Sequence, residues 1–420
     1  MSPKEKSKSK KRIVLLDSHA ILHRAFHAIP DFSTASGRPT GALYGLASMI
    51  LSIGKDLKPD YIIACYDLPG GTFRNELSDG YKAHRKELDT GLAQQILESR
   101  EVMDAFAIPR YEKKGYEADD LLGTLAEILK KDKNNEIIIA SGDMDTLQLV
   151  DKTQVRVFTL KRGLTDTVLY DEKGVVERFG FGPKLLPDYK GLRGDPSDNI
   201  IGVAGIGEKT ASILISNFGT IENIYKKLAK SDKEFREAGI TPRIIELLRA
   251  NEEEALFSKT LATIVRNVEV DFELPEKSWR ESVSKEAVEK LFQDLEFRSL
   301  TPRFRAVFDI EDAPKNETDS SMDPLELKRL SIAAWLLDSE KTSPDVEDIL
   351  ALAKTNNLEK AKEIIFESLK KNKLDKVFEE IEEPIIKVIE EMKIYGIKVD
   401  KSYLQKLSKD YHRGLDGIEK

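Results

Sequence analysis

The segment GYEADD, residues 115–120, sets Glu117, Asp119 and Asp120 close together, directly ahead of the apolar run LLGTLAEIL. Two carboxylates about 4 Å apart at an effective dielectric near 20 repel by roughly 4 kcal/mol, so a folded chain needs a reason to gather three. One reason is local. Acidic residues are favoured in the first turn of a helix, where the macrodipole stabilises each by about 0.3 to 1 kcal/mol. The other is a metal or catalytic site. These six residues leave both readings open, and the choice turns on whether the rest of the chain sends carboxylates to the same place.

Three segments share one grammar, an apolar β-branched run followed by aspartate. They are RIVLLD ending at Asp17, DYIIACYD ending at Asp67 and EIIIASGD ending at Asp143. Apolar runs followed by helical patterns are how buried parallel strands read, so an α/β domain is expected, with a mainly parallel sheet and helices on both faces. In such sheets the site lies beyond the carboxyl ends of the strands, which sends the three aspartates to one edge. Each alone could cap the next helix. SGDMD adds Asp145 and GDPSDN adds Asp195 and Asp198, which with GYEADD makes nine acidic residues at strand ends or helix starts. Divalent cations are the economical way to neutralise such a pool.

Two further segments bear on the site. TFRNELSDGYKAHRKELDTG is polar, with Arg74, Lys82 and Arg85 as its prominent cations. A solvated surface helix has similar composition, but its place beside the acidic strand ends favours a mobile segment over the site. The run GVAGIGEKTA, residues 202–211, leads into the helical pattern SILISNF. Gly205, Ile206 and Gly207 fit the hairpin of a helix-hairpin-helix element, whose backbone amides approach a phosphate at a helix N-terminus, with Lys209 adding charge. The alternative is a simple tight turn.

With 420 residues the chain has room for two or three domains, and the single cysteine, Cys65, excludes an internal disulfide. It reads as a small buried hydrophobe in a protein of a reducing cytosol. The net charge of −8 argues against a protein that wraps nucleic acid, although a carboxylate cluster would hide basic patches elsewhere. No apolar stretch is long enough to span a bilayer, so no membrane partner is expected. The expected organisation is a disordered basic tail (1–11), an α/β domain (12–185), a helix-hairpin-helix region (186–305), an acidic linker (306–323) and a helical segment (324–420).

Taken in order, RIVLLDSHAILHRAFHA, PTGALYG, TFRNE, GYKAHR, GYEADDLLGTLA, SGDMDTLQLV, GDPSDN, GVAGIGEKTA and FRSL resemble the 5′ nuclease domain of bacterial DNA polymerase I, over roughly residues 12–305. That family includes phage 5′ nucleases and flap endonucleases. The resemblance implies a PIN-like fold and two or more divalent metals, Mg²⁺ or Mn²⁺. It places Asp17, Asp67, Glu117 and Asp119 around one metal and Asp120, Asp143, Asp145, Asp195 and Asp198 around the second. Lys82 and Arg85 resemble the residues that reach the scissile phosphate, and Arg74 and Tyr81 those that position the strand, Tyr81 by stacking on an unpaired base. Arg24 occupies a family basic position. Gly202, Gly205, Gly207 and Lys209 resemble the duplex-binding hairpin, which in relatives also holds a monovalent cation such as K⁺. The implied substrate is DNA with a 5′ flap, a nick or an RNA primer, cut by a monomer during lagging-strand maturation and repair.

Departures from the pattern are Met144 where lysine is usual, Ile201 and Ala204 where proline is common, and a missing proline after Arg85. These bear on loop shape more than on chemistry. Residues 331–353 and 382–408 resemble the end of the proofreading-like domain and the entry to the polymerase domain, with no polymerase aspartates and no proofreading motif. A truncated polymerase or a nuclease with a vestigial tail is expected, without polymerase activity. Two other classes fit less well. A binding protein that holds branched DNA without cutting it is opposed by the complete acidic set, and a ribonuclease of related fold is opposed by GVAGIGEKTA.

Overall fold

The run ending at Asp17 forms strand β1 (Lys11–Asp17), buried from Ile13 onward in this computed structural model. The second run forms β2 (Tyr61–Cys65), the short β3 is Arg110–Tyr111, and the third run forms β4 (Asn135–Ala140). β5 (Val155–Arg162) and β6 (Asp166–Tyr170) complete one sheet in the order β3-β2-β1-β4-β5-β6. The first five strands pair in parallel and β6 runs antiparallel to β5. The structure describes residues 10–29, 32–34, 36–84, 88–162, 166–310, 322–339, 344, 346–355, 357–396, 400, 402–404, 406–408 and 411. The basic tail expected at 1–11 therefore lies outside the described residues except for its last two, and Lys11 already belongs to β1. Most of the expected linker and Arg85 lie outside them as well.

Alternation along the strands divides the core into two layers. Ile13, Leu15, Ile63, Ile137 and Ile139 face one way, Val14, Leu16, Ile62 and Ile138 the other. Each buried Val, Leu or Ile contributes roughly 1.5–3 kcal/mol, so a slip of one residue would expose a whole layer. The second face is covered by α1 (Ser18–Ala28), α2 (Gly41–Asp56) and, beyond the short α3 (Phe73–Leu77), by α4 (Thr90–Ala105). The first face is covered by α5 (Ala118–Leu129) and, after α6 (Glu172–Phe179), by α7 (Leu186–Arg193), α8 (Glu208–Phe218) and the helices that follow to Ala262. Residues 279–307, of which the sequence groups those to 305 with the hairpin region and the last two with the linker, fold back onto α2 and α4. There Trp279 donates from Nε1 to the Phe106 carbonyl at 2.9 Å, and its ring lies against Gly54. Cys65 is fully buried, in keeping with its reading as a small hydrophobe.

The strand order reverses between β1 and β4, because β2 and β3 are added on one side of β1 and β5 on the other side of β4. That is the topological switch point, where helices leave in opposite directions and a crevice opens beyond the strand ends. The chain divides into two compact units, Met1–Glu311 and Asp312–Lys420. The second unit is helical, with Pro324–Leu337, Val346–Ala353, Leu358–Lys371 and Glu383–Tyr395 among its helices and a core that includes Leu330, Ile349, Ile365 and Phe378. No helix among the described residues is long and apolar enough to cross a membrane.

Candidate active site

Asp17 stands at the switch point as the last residue of β1 and the N-cap of α1. It accepts from the Ala20 amide at 3.0 Å and from Ser141 Oγ at 2.6 Å. The Ser141 bond crosses from β1 to the segment leaving β4, and Ser141 Oγ in turn accepts from the Asp143 amide at 2.9 Å. Asp143 caps the short helical turn Met144–Leu149 through the Asp145 amide at 2.8 Å. On the other side of β1, Asp67 accepts the Ala118 amide at 2.6 Å, the first N–H of α5. That helix start brings Asp119 in, and Asp119 feels the charges of Asp17, Asp143, Asp145 and Glu117. Local capping and convergence of carboxylates are therefore both present, because a helix start is a favourable place for an anion whatever else that anion does.

A second knot forms around Glu117. Arg74 on α3 is 2% exposed and grips Asp120 with two bonds of 2.8 Å, while it reaches Glu117 at 3.5 Å. Its remaining donors go to the carbonyls of Leu261 and Thr263. Asp120, with no exposed surface, also accepts the amides of Glu117 at 3.1 Å and Val265 at 2.9 Å. Tyr81 is 3% exposed and donates to Glu117 and Asp198, both at 3.2 Å, and Lys82 reaches Glu117 at 2.8 Å. Burial, with Glu117 and Asp198, pushes the Tyr81 phenol up, so it stays protonated and donating.

Four of the expected site residues have partners within the protein itself. Asp120 has both oxygens occupied by four protein donors, and its two bonds to Arg74 orient the guanidinium. Arg74 spends its donors inside this network. Tyr81, with its ring enclosed, has no face on which a base could stack. Asp198 also sides with Glu117 and Lys82, not with Asp145, since the Lys82 amide donates to its carbonyl at 2.9 Å. Lys82 itself sits in the left-handed region at φ 56°, a conformation unusual outside glycine and common where a site holds a side chain in place.

Lys190, near the end of α7, forms the third knot by bridging Asp145 and Asp195. Asp195 further accepts from Ser197 Oγ at 2.6 Å. A cleft of about 890 Å³ opens here, lined by Arg24 and His27 of α1, by Asp143 and Asp145, and by Lys190 and Arg193 of α7. Arg24 thus faces the acidic edge. The glycine loop connects α7 to α8. Gly202, at φ 66°, passes so near Gly194 that a Cβ would lie 2.2 Å from the Gly194 nitrogen, so glycine is required there for close backbone approach. Gly207 is the N-cap of α8 with open space around it, and Gly205, Gly207 and Lys209 are exposed.

Burial pushes the Asp17 carboxyl up to about 7, with Asp67 and Asp143 adding to it against the bonds from Ser141 and Ala20. Burial likewise raises Asp145 to about 7 even though Lys190 pulls it down, and raises Asp119 well above its ordinary value. Among the described residues no three His, Cys, Asp or Glu side chains close around a common point as the ligands of an ion do. The donor set is nevertheless all carboxylate oxygen, partly buried and mutually repelling, which is the chemistry that suits a hard divalent cation. The sign of the pH effect follows. Folded-state values above those of the unfolded chain mean that the metal-free protein gains stability as pH falls through about 7, while protonation competes with any bound cation. Calorimetric titration with a divalent cation is expected to show affinity lost between about pH 8 and about pH 6, and affinity unchanged over that interval would contradict the values for Asp17 and Asp145.

Sequence reasoning missed Ser141, His19 and Lys190. Ser141 and His19 lie inside the quoted motifs, next to the aspartates. His19 Nδ1 accepts the Asp67 amide at 3.1 Å, and burial lowers its pKa, so the ring is neutral. Lys190 precedes Asp195 by five residues in DYKGLRGD, and nothing local marks it as the partner of Asp145.

An α/β sheet whose strand ends carry acidic residues across a switch point, joined to a helical region through a glycine loop, defines a class before any comparison. A family model described as 5′-3′ exonuclease, N-terminal resolvase-like domain, matches residues 12–180, and one described as 5′-3′ exonuclease, C-terminal SAM fold, matches residues 181–285. The two run over well more than half of the chain, which belongs to the 5′-3′ exonuclease family. DNA polymerase I of Caldicellulosiruptor bescii is 39% identical over 296 residues, which are 70% of this chain and 33% of that protein. DNA polymerase I of Bacillus subtilis is 35% identical over 324 residues, 77% of this chain and 35% of that protein. The chain spans about a third of the length of these relatives. Among solved structures, the T5 5′-exonuclease with bound zinc aligns with a TM-score of 0.48 at 22% identity, over 68% of this chain and 99% of that one.

Proposed function

We propose that this chain is a metal-dependent, structure-specific 5′ nuclease that hydrolyses phosphodiester bonds of DNA at 5′ flaps, nicks and RNA primers. The observation that carries the reading is the row of carboxylates across the switch point, flanked by Lys82, within the residues that match the exonuclease family. Asp17, Asp67, Asp119, Asp143, Asp145 and Asp195 would hold divalent cations, Mg²⁺ or Mn²⁺. Bound there, such ions supply an activated water and Lewis-acid stabilisation of the leaving oxygen. The chain's own part is positional. Ser141 fixes the Asp17 carboxylate, α5 presents Asp119, and Asp120 with Arg74 braces Glu117 from behind.

Lys82 would turn from Glu117 toward the scissile phosphate and offset the charge that develops on it. Arg24 and Arg193 at the cleft would contact the phosphate backbone, and the open N-terminus of α8 with Lys209 would hold the duplex arm. Lys82→Ala and Asp143→Ala are each expected to lose Mg²⁺-dependent cleavage of a labelled 5′-flap duplex while the circular dichroism of the folded chain is retained. Full activity in both variants would overturn the assignment. Parallel reactions with EDTA and with single-stranded RNA separate this reading from a non-cutting DNA-binding protein and from a ribonuclease.

A further inference from the structure

Lys190 is a cation enclosed by the acidic edge. Only 9% of its surface is exposed, and its Nζ donates to Oδ1 of Asp145 and Oδ2 of Asp195, which come from the segment after β4 and the loop after α7. By contrast Asp17, Asp119 and Asp143 have no lysine or arginine ion pair among the described residues. The edge thus has one stretch paired with a cation of the chain itself and one stretch without such a pair among the described residues.

From this asymmetry we propose that Lys190 is an internal counter-ion that stands in for a divalent cation at Asp145 and Asp195. The inference rests on the metal-dependent reading above. The ammonium draws the half-buried Asp145 and the buried Asp195 together and bonds to both, so the edge is assembled before any metal arrives. A divalent ion entering there must displace Lys190 or share the carboxylates with it, and in either case meets a like charge within the same shell. Lys190 therefore stabilises the metal-free fold and weakens binding of the ion on its side of the cleft, while the ion at Asp17, Asp67 and Asp119 binds without that competition. A carboxylate that loses its ion-pair partner in a partly buried setting is costly, so a neutral residue at 190 shifts both quantities, in opposite directions.

The test is calorimetric titration of the EDTA-treated full chain with Mg²⁺, together with thermal melting in EDTA, for wild type, Lys190→Gln and Lys190→Arg. Glutamine keeps a hydrogen-bond donor and removes the charge. Lys190→Gln is expected to melt lower in EDTA yet bind its weaker Mg²⁺ about tenfold more tightly, the scale on which one adjacent charge alters an ionic equilibrium, whereas Lys190→Arg follows wild type. A purely structural lysine would lower the melting temperature without tightening the metal. Wild type that binds Mg²⁺ together with a Lys190→Gln variant that binds it no more tightly overturns the counter-ion role alone. Wild type that binds no Mg²⁺ overturns the metal-dependent reading itself. If Lys190→Gln is unfolded in EDTA, refolding on addition of Mg²⁺ supports the inference and failure to refold counts against it.

Discussion

Asp119→Asn is expected to lower Mg²⁺-dependent flap cleavage by roughly a hundred- to a thousandfold, the cost of removing one electrostatic element from a reaction centre. The same substitution is expected to stabilise the EDTA-treated protein by on the order of 1 kcal/mol. Asp119 is the carboxylate that burial and the charges of Asp17, Asp143, Asp145 and Glu117 all push toward protonation. Asparagine has nearly the same shape and removes the repulsion. Gain in stability with loss of activity is the signature of a group held in place for chemistry at the expense of the fold. Cleavage rates and melting curves on one preparation check both parts. A variant as active as wild type, or less stable in EDTA, would show that Asp119 has a structural post instead.

Asp120, its neighbour in sequence, is expected to behave in the opposite way. Asp120→Ala should cost about 3–5 kcal/mol, because it leaves the buried Arg74 guanidinium without its bidentate partner and the amides of Glu117 and Val265 without an acceptor. Urea denaturation measures the loss directly. The double variant Arg74→Met, Asp120→Leu is expected to recover much of it, since replacing both members of a buried pair by apolar groups is often close to neutral. A single Asp120→Ala variant with undiminished stability would mean that its carboxylate is not the anchor of this network.

The contrast between these neighbours marks how far the sequence could be read. The strands ending near Asp17, Asp67 and Asp143 were legible because burial on both faces demands unbroken apolar runs, and aspartate at the end of such a run is a local signal of the turn into a helix. The helix starting after Glu117 and the glycine loop before α8 were legible for the same reason. Residues 279–307 were not, since their apolar pattern says that they bury a face without saying which one. The acidic residues of the site were visible, but Ser141, His19 and Lys190 were not singled out, and Asp120, Arg74 and Tyr81 took posts that type alone could not reveal.

By itself, then, the sequence determined that acidic residues would gather at the carboxyl edge of a parallel sheet, because strand, cap and helix start are each encoded within a few residues. The tertiary structure alone decided which of those carboxylates are answered by the chain. Arg74 meets Asp120, Lys82 meets Glu117 and Lys190 meets Asp145 across separations of 46, 35 and 45 residues. Such pairings follow from how helices pack around the switch point, since an ion pair depends on distance in space and leaves no periodic trace along the chain.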